Sequence, residues 1–277
     1  MAVSQNLFPQ DLTLQFLNLP AGFLPVVFFL FGACIGSFLN VCIFRLPRNE
    51  SIVFPASHCP ACNTKLKSAD NVPIFSFLFL RGKCRYCQTA ISWQYPIVEL
   101  TTGILFALAV IRFGLQWNTF IALVLIPVSL VVSVIDLKVQ IIPNVISLPG
   151  IGLGLAASLL PGSPLTFFNA LSGMLIGGGL FYLVAVISKG GMGGGDIKLI
   201  AMFGAFLGWQ KCLLTIFLGV LLGSIVGIAL MLLKRKGRKD PIPFGPFLCI
   251  GALISLFYGQ AMINWYLHLT IGKAGFW

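Results

Sequence analysis

The chain has 277 residues, of which seven are acidic and 18 are Lys or Arg, so charged residues make up 9% against about 25% in a soluble globular domain. Hydrophobic residues reach 58%, and the mean hydropathy is +0.98. This composition excludes a soluble enzyme, a disordered chain and a secreted disulfide scaffold. It leaves an all-α polytopic membrane protein in contact with a lipid bilayer. The net charge of +11 does not argue for nucleic acid, because the cations flank apolar stretches, as membrane topology requires.

Residues 1–20 hold no Lys or Arg. The first apolar stretch, 21–44, therefore lacks the positive leader of a secretory signal and reads as a membrane helix. Arg45, Leu46, Pro47 and Arg48 end it, and a polar region runs from 45 to 95. Seven further apolar stretches follow, at 96–114, 119–135, 141–160, 165–187, 197–209, 212–233 and 244–269. About eight transmembrane helices are expected, with no evident tandem repeat. The sixth stretch is short enough to be re-entrant, but charge argues that it spans. With eight spans and both termini outside, 15 of the 18 cations lie in the cytoplasm, leaving Arg112, Lys211 and Lys273 outside. Removing one span would export the basic run 234–239, against the positive-inside rule. The expected organisation is an outer segment 1–20, a first helix 21–44, a cytoplasmic loop 45–95 and a seven-helix membrane part 96–277.

The loop holds Cys59-Pro-Ala-Cys62 and Cys84-Arg-Tyr-Cys87, with 21 residues between the pairs. Two CxxC pairs at this separation predict a tetrahedral four-cysteine zinc site. A reducing cytoplasm disfavours two disulfides. Four protein sulfurs leave no open position for water, so the zinc is expected to be structural, and a loop of this size needs such a staple. His58 is a bystander on this reading. Cys34, Cys42, Cys212 and Cys249 lie in apolar stretches and are expected to be small buried hydrophobes.

Two acids stand at membrane depth, where a carboxylate costs roughly 2.5–3.5 kcal/mol on insertion scales. Asp136 closes the third span, ahead of Ile142-Pro-Asn144. Asp196 follows the glycine cluster Gly190-Gly-Met-Gly-Gly-Gly195. The topology puts both at cytoplasmic helix ends. Two such carboxylates share a proton more easily than they both ionise. One then accepts a proton from water while the other donates to a scissile carbonyl. Glycines beside Asp196 leave room for an extended substrate, and Pro143 and Asn144 are expected to break the helix near Asp136. Other readings stay open at this point. Asp136 pairs with Lys138, the glycines serve helix packing, or the aspartates belong to a proton- or metal-coupled transporter.

The motifs, in order, resemble those of the type IV prepilin peptidases, the bifunctional leader peptidase and N-methyltransferase family of pilus and type II secretion systems. They are Gly36-Ser-Phe-Leu-Asn-Val41 with Arg45-Leu-Pro47, the two CxxC pairs and Tyr95-Pro-Ile-Val-Glu-Leu100. They continue with Asp136 and Ile142-Pro-Asn144, Gly193-Gly-Gly-Asp196-Ile-Lys-Leu199 with Gly204-Ala205, and Pro243-Phe-Gly-Pro246. The resemblance implies that Asp136 and Asp196 are the catalytic pair of a GxGD-type aspartic protease in the bacterial inner membrane. The substrate it implies is a prepilin or pseudopilin, cut after Gly and before Phe at the cytoplasmic face. It also implies methylation of the new amine with S-adenosylmethionine, an activity associated with the zinc loop. No Rossmann-type glycine fingerprint is present. Gly82 and Glu99 are the candidates for that second activity, Glu99 as acceptor of the substrate ammonium. The alternative for Glu99 is an interfacial anchor or a pair with Arg45. The family often has Asp where this chain has Asn144. Glu50, Asp70, Asp240 and Asp11 are expected to be ordinary hydrated acids.

Overall fold

The computed structural model describes residues 22–233 and 242–270. The expected outer segment with Asp11, the basic run 234–239, Asp240 and Lys273 lie outside the described residues. The chain forms two compact units, Met1–Val134 and Ile135–Trp277. Eight α-helices are present among the described residues. They are α1 (Phe23–Arg45), α2 (Phe75–Phe79), α3 (Gln94–Phe113), α4 (Trp117–Val139), α5 (Asn144–Ser158), α6 (Phe167–Ile187), α7 (Gly194–Leu232) and α8 (Gly245–Thr270). The extended pairing among them is limited to two isolated bridges, His58 with Lys65 and Lys83 with Ala90. The protein is an all-α polytopic membrane protein.

Six helices, all but α2 and α5, are long and apolar enough to cross a membrane. The expected fourth span is cut down to the 15 residues of α5, about 22 Å against a hydrocarbon core of about 30 Å. Pro143 caps its start, and it stops at Ser158, three residues before Pro161. The expected sixth and seventh spans are the two arms of α7, which meet at a break in the helix. At Gly208, φ is 77° and ψ is 171°, so the helical backbone breaks there. The Trp209 amide at the break donates to Asn169 Oδ1 at 3.5 Å.

Within the first unit, α1 packs antiparallel on α3. Asn40 donates to the Tyr95 carbonyl and accepts from Gln94 Nε2, both at 3.2 Å. One turn further in, a Cβ on Gly36 would lie 2.6 Å from Glu99 Cα. Lipid gives helices no hydrophobic reason to associate, so small residues that bring backbones together do that work. Cys42 is buried, as expected, but Cys34 is exposed. It lies two residues from both Gly32 and Gly36, about 200° around the helix from the packed face. In the second unit, α7 packs on α6, where Gly173 and Gly204 meet so closely that neither tolerates a Cβ. Cys212 and Cys249 are buried.

Candidate aspartate site and metal centre

The polar loop builds the same turn twice. Cys59 through Thr64 reads Cys-Pro-Ala-Cys-Asn-Thr, and Cys84 through Thr89 reads Cys-Arg-Tyr-Cys-Gln-Thr. In each, the first cysteine amide donates to the threonine carbonyl, at 3.0 and 2.9 Å. The residue after the second cysteine is left-handed, with φ of 54° at Asn63 and 61° at Gln88. The repeat escapes a search of the sequence because only the cysteines and threonines are shared. The four sulfurs of Cys59, Cys62, Cys84 and Cys87 all lie within 4.8 Å of one another. Cys59 and Cys87 Sγ are 3.8 Å apart, the edge of a tetrahedron with metal–sulfur bonds of about 2.3 Å. The donor set therefore fits zinc.

The threonines also tune the thiols. The Thr89 hydroxyl, and then its amide, holds Cys87 down at about 6. Thr64 acts on Cys62 in the same direction in the same way. The thiolate, the ligating form, is thereby favoured at Cys87 and Cys62, whereas Cys59 is pushed up to about 11. Asp70 is not the hydrated acid expected from sequence. It is buried and pairs with Arg85 at 2.7 Å, inside the second knuckle. An acid with a fixed cation partner can leave water where a lone one cannot.

Glu99 lies in the second turn of α3 and is buried. Its Oε2 accepts from the Ile74 amide at 2.7 Å. The alternative pairing with Arg45 does not form: that guanidinium donates to the Ser51 and Pro55 carbonyls at 2.9 and 2.7 Å. Gly82 has φ of 68°, and a Cβ there would meet the Phe77 ring at 3.1 Å. Gly82 therefore closes the turn between α2 and the second knuckle, a position that favours glycine on backbone grounds.

The second unit carries both singled-out aspartates. Asp136 sits in the last turn of α4, and the chain breaks at 140–143 before α5, as Pro143 predicted. A carboxylate at a helix C-terminus meets the negative end of the dipole. Asp136 is instead served by another helix: the Gly245 amide, at the start of α8, donates to its Oδ2 at 2.9 Å. A Cβ on Gly245 would stand 2.8 Å from that oxygen. Asp196 is the third residue of α7, where the dipole of its own helix favours negative charge.

Two contacts bind the segments that carry these acids. A Cβ on Gly195 would meet Ile142 at 2.9 Å, and Lys198 Nζ donates to Asn144 Oδ1 at 2.8 Å. These contacts bring the two acid-bearing segments to one end of the second unit. Gly245 and Lys198 were not singled out from sequence. The Pro-Phe-Gly-Pro motif and the lysine two residues after Asp196 were the available signals.

Comparison with known proteins agrees over most of the chain. The model of the bacterial peptidase A24 N-terminal domain matches residues 30–113. That of the type IV leader peptidase family matches residues 123–228. A prepilin leader peptidase/N-methyltransferase of Bacillus subtilis (strain 168) is 38% identical over 247 residues, covering 89% of this chain and 99% of the relative. The proteins of that name from Aeromonas salmonicida (strain A449) and Pseudomonas aeruginosa are 38% and 36% identical, covering 88% and 87% of this chain and 94% and 92% of theirs. No solved structure matches. The chain belongs to the type IV leader peptidase family, and it is a multi-pass membrane peptidase.

Proposed function

We propose that the protein removes the leader of prepilins or type II secretion pseudopilins by hydrolysing a Gly–Phe bond with Asp136 and Asp196. The observation that carries this reading is the convergence of two otherwise costly carboxylates at one end of the second unit. Each has a helix N-terminus beside it, and the Gly195–Ile142 and Lys198–Asn144 contacts join their segments. With one proton shared between them, the ionised member takes a proton from water as the oxygen attacks the peptide carbonyl. The protonated member donates to the carbonyl oxygen. Collapse of the tetrahedral intermediate then breaks the C–N bond and returns a proton to the leaving amine. Gly194, where a Cβ would meet nothing within 4 Å, leaves room for an extended substrate. Positive-inside topology puts this end at the cytoplasmic face of the inner membrane.

The same protein is proposed to methylate the new N-terminal amine. The relatives' printed name carries both activities. S-adenosylmethionine would supply the methyl group. Glu99 is the acid of the first unit assigned to the substrate ammonium, with Gly82 beside the second knuckle bordering that site. Zinc on the four cysteines would hold the loop in shape. The proposed organisation remains an outer segment 1–20, a first helix 21–44, a zinc loop 45–95 and a membrane peptidase part 96–277.

One incubation tests the central reading. Purified protein, a prepilin and methyl-labelled S-adenosylmethionine are expected to give a faster-migrating pilin with label on its N-terminal Phe. An unprocessed pilin, together with proton or metal flux in sealed vesicles that depends on Asp136 or Asp196, would establish a transporter instead.

A further inference from the structure

The loop exposes a patch that neither zinc nor hydrolysis uses. On α2, Phe75, Leu78 and Phe79 are 51%, 62% and 84% exposed. Their spacing of three and four residues puts them on one helix face. Phe77, on the opposite side, is buried.

Two contacts measure the depth of this patch against the membrane. Helix α3 has 20 residues, about 30 Å, which matches the hydrocarbon thickness, so its first residue Gln94 lies at the boundary. Trp93 directly precedes it and is exposed, the ordinary position of an interfacial aromatic. The Phe77 ring packs against Trp93, tilted by 58° with centroids 4.9 Å apart. The Ile74 amide reaches Glu99, five residues and about 7.5 Å into α3. Side chains on a helix lean toward its N-terminus, so Ile74 stands level with the first turns of α3 and not in the cytosol above them. Ile97 and Leu100 of α3 are themselves exposed, which continues the apolar surface at that level. Beyond α2, Arg81 and Lys83 are exposed. Cations at this position meet anionic headgroups, and their stems can lie along apolar surface.

We propose that α2 is a membrane-dipping anchor: Phe75, Leu78 and Phe79 enter the bilayer at the hydrocarbon boundary, with Arg81 and Lys83 among anionic headgroups. The anchor tethers the zinc loop to the lipid surface at the depth where α3 begins. It does not rest on the peptidase reading, and its test requires no cleavage.

An environment-sensitive fluorescent amino acid is placed at Phe79 in the full-length protein, reconstituted in vesicles of phosphatidylcholine and phosphatidylglycerol. Leu78 serves as a second labelled site. Exposed Lys65 is the aqueous control, and exposed Leu108 in α3 is the bilayer control. The label at 79 is expected to lose emission to lipids carrying a nitroxide on the upper acyl chain, as at Leu108, and to resist aqueous iodide. Quenching by iodide with none by lipid nitroxides, as at Lys65, would overturn the proposal. So would indifference to both quenchers, which places the ring against protein. Iodide quenching that disappears when prepilin is added would overturn it too, in favour of a substrate-docking face.

Discussion

At the scale of single residues, the site depends on close approaches that leave no spare volume. The Gly245 amide touches the Asp136 carboxylate, and a methyl group at 245 would stand 2.8 Å from Oδ2. Gly245→Ala is therefore expected to displace the carboxylate and lower the cleavage rate by about 100-fold, the scale on which small misplacements act. Unchanged rates in a folded Gly245→Ala enzyme would contradict that role. Lys198→Met keeps the apolar stem and removes the donor to Asn144. A loss of about tenfold in kcat with little change in KM is expected from one charge-assisted hydrogen bond. For methylation, Glu99→Gln retains an acceptor for the Ile74 amide and removes the charge. It should depress label incorporation while leaving cleavage intact, and equal loss of both activities would refute the assignment. Asp136 and Asp196 were legible in the sequence because acids are rare there and these two interrupt apolar stretches. Gly245 was not, because it contributes a backbone amide 109 residues away from its partner.

At the scale of elements, the zinc loop is the clearest case of local chemistry fixing local structure. The cysteine spacing pointed to a four-cysteine group that could hold zinc, and the four sulfurs do gather, while the recurrence of Thr64 and Thr89 beside the second thiol of each pair emerged only once the turns were seen. A structural zinc supplies roughly 10 kcal/mol of folding free energy in isolated finger peptides. Purified protein should carry a single zinc ion per chain. Cys62→Ser or Cys84→Ser should lose it and leave the loop sensitive to protease. Full zinc content in either variant would contradict the four-cysteine assignment. The helices were less legible in their lengths than in their existence. The stretch 141–160 is trimmed at both ends to Asn144–Ser158, by the extended backbone at Pro143 and by the turn at Pro161, while the division between 197–209 and 212–233 agrees with the break at Gly208.

At the scale of the molecule, composition alone separated a membrane protein from a soluble one, and charge asymmetry supplies the orientation proposed for it. The sidedness of the second unit turns on α5, whose 15 residues are short for a crossing. If α5 crosses as proposed, an alkaline phosphatase fusion after residue 162 is active and one after residue 190 is inactive. An inactive fusion after residue 162 with an active one after residue 190 would remove that crossing. The central claim is that Asp136 and Asp196 together perform the hydrolysis. Its most direct test is the initial rate of prepilin cleavage by purified Asp136→Asn and Asp196→Asn, each first shown to retain its native helicity and thermal transition. Asn preserves the shape of Asp and removes the exchangeable carboxyl proton. Each variant is therefore predicted to lose about 10²–10⁴-fold or more, the range for one general acid or base. The double variant is predicted to lose little beyond the worse single, because the pair acts as a unit. Either single variant cleaving at the wild-type rate would contradict the account.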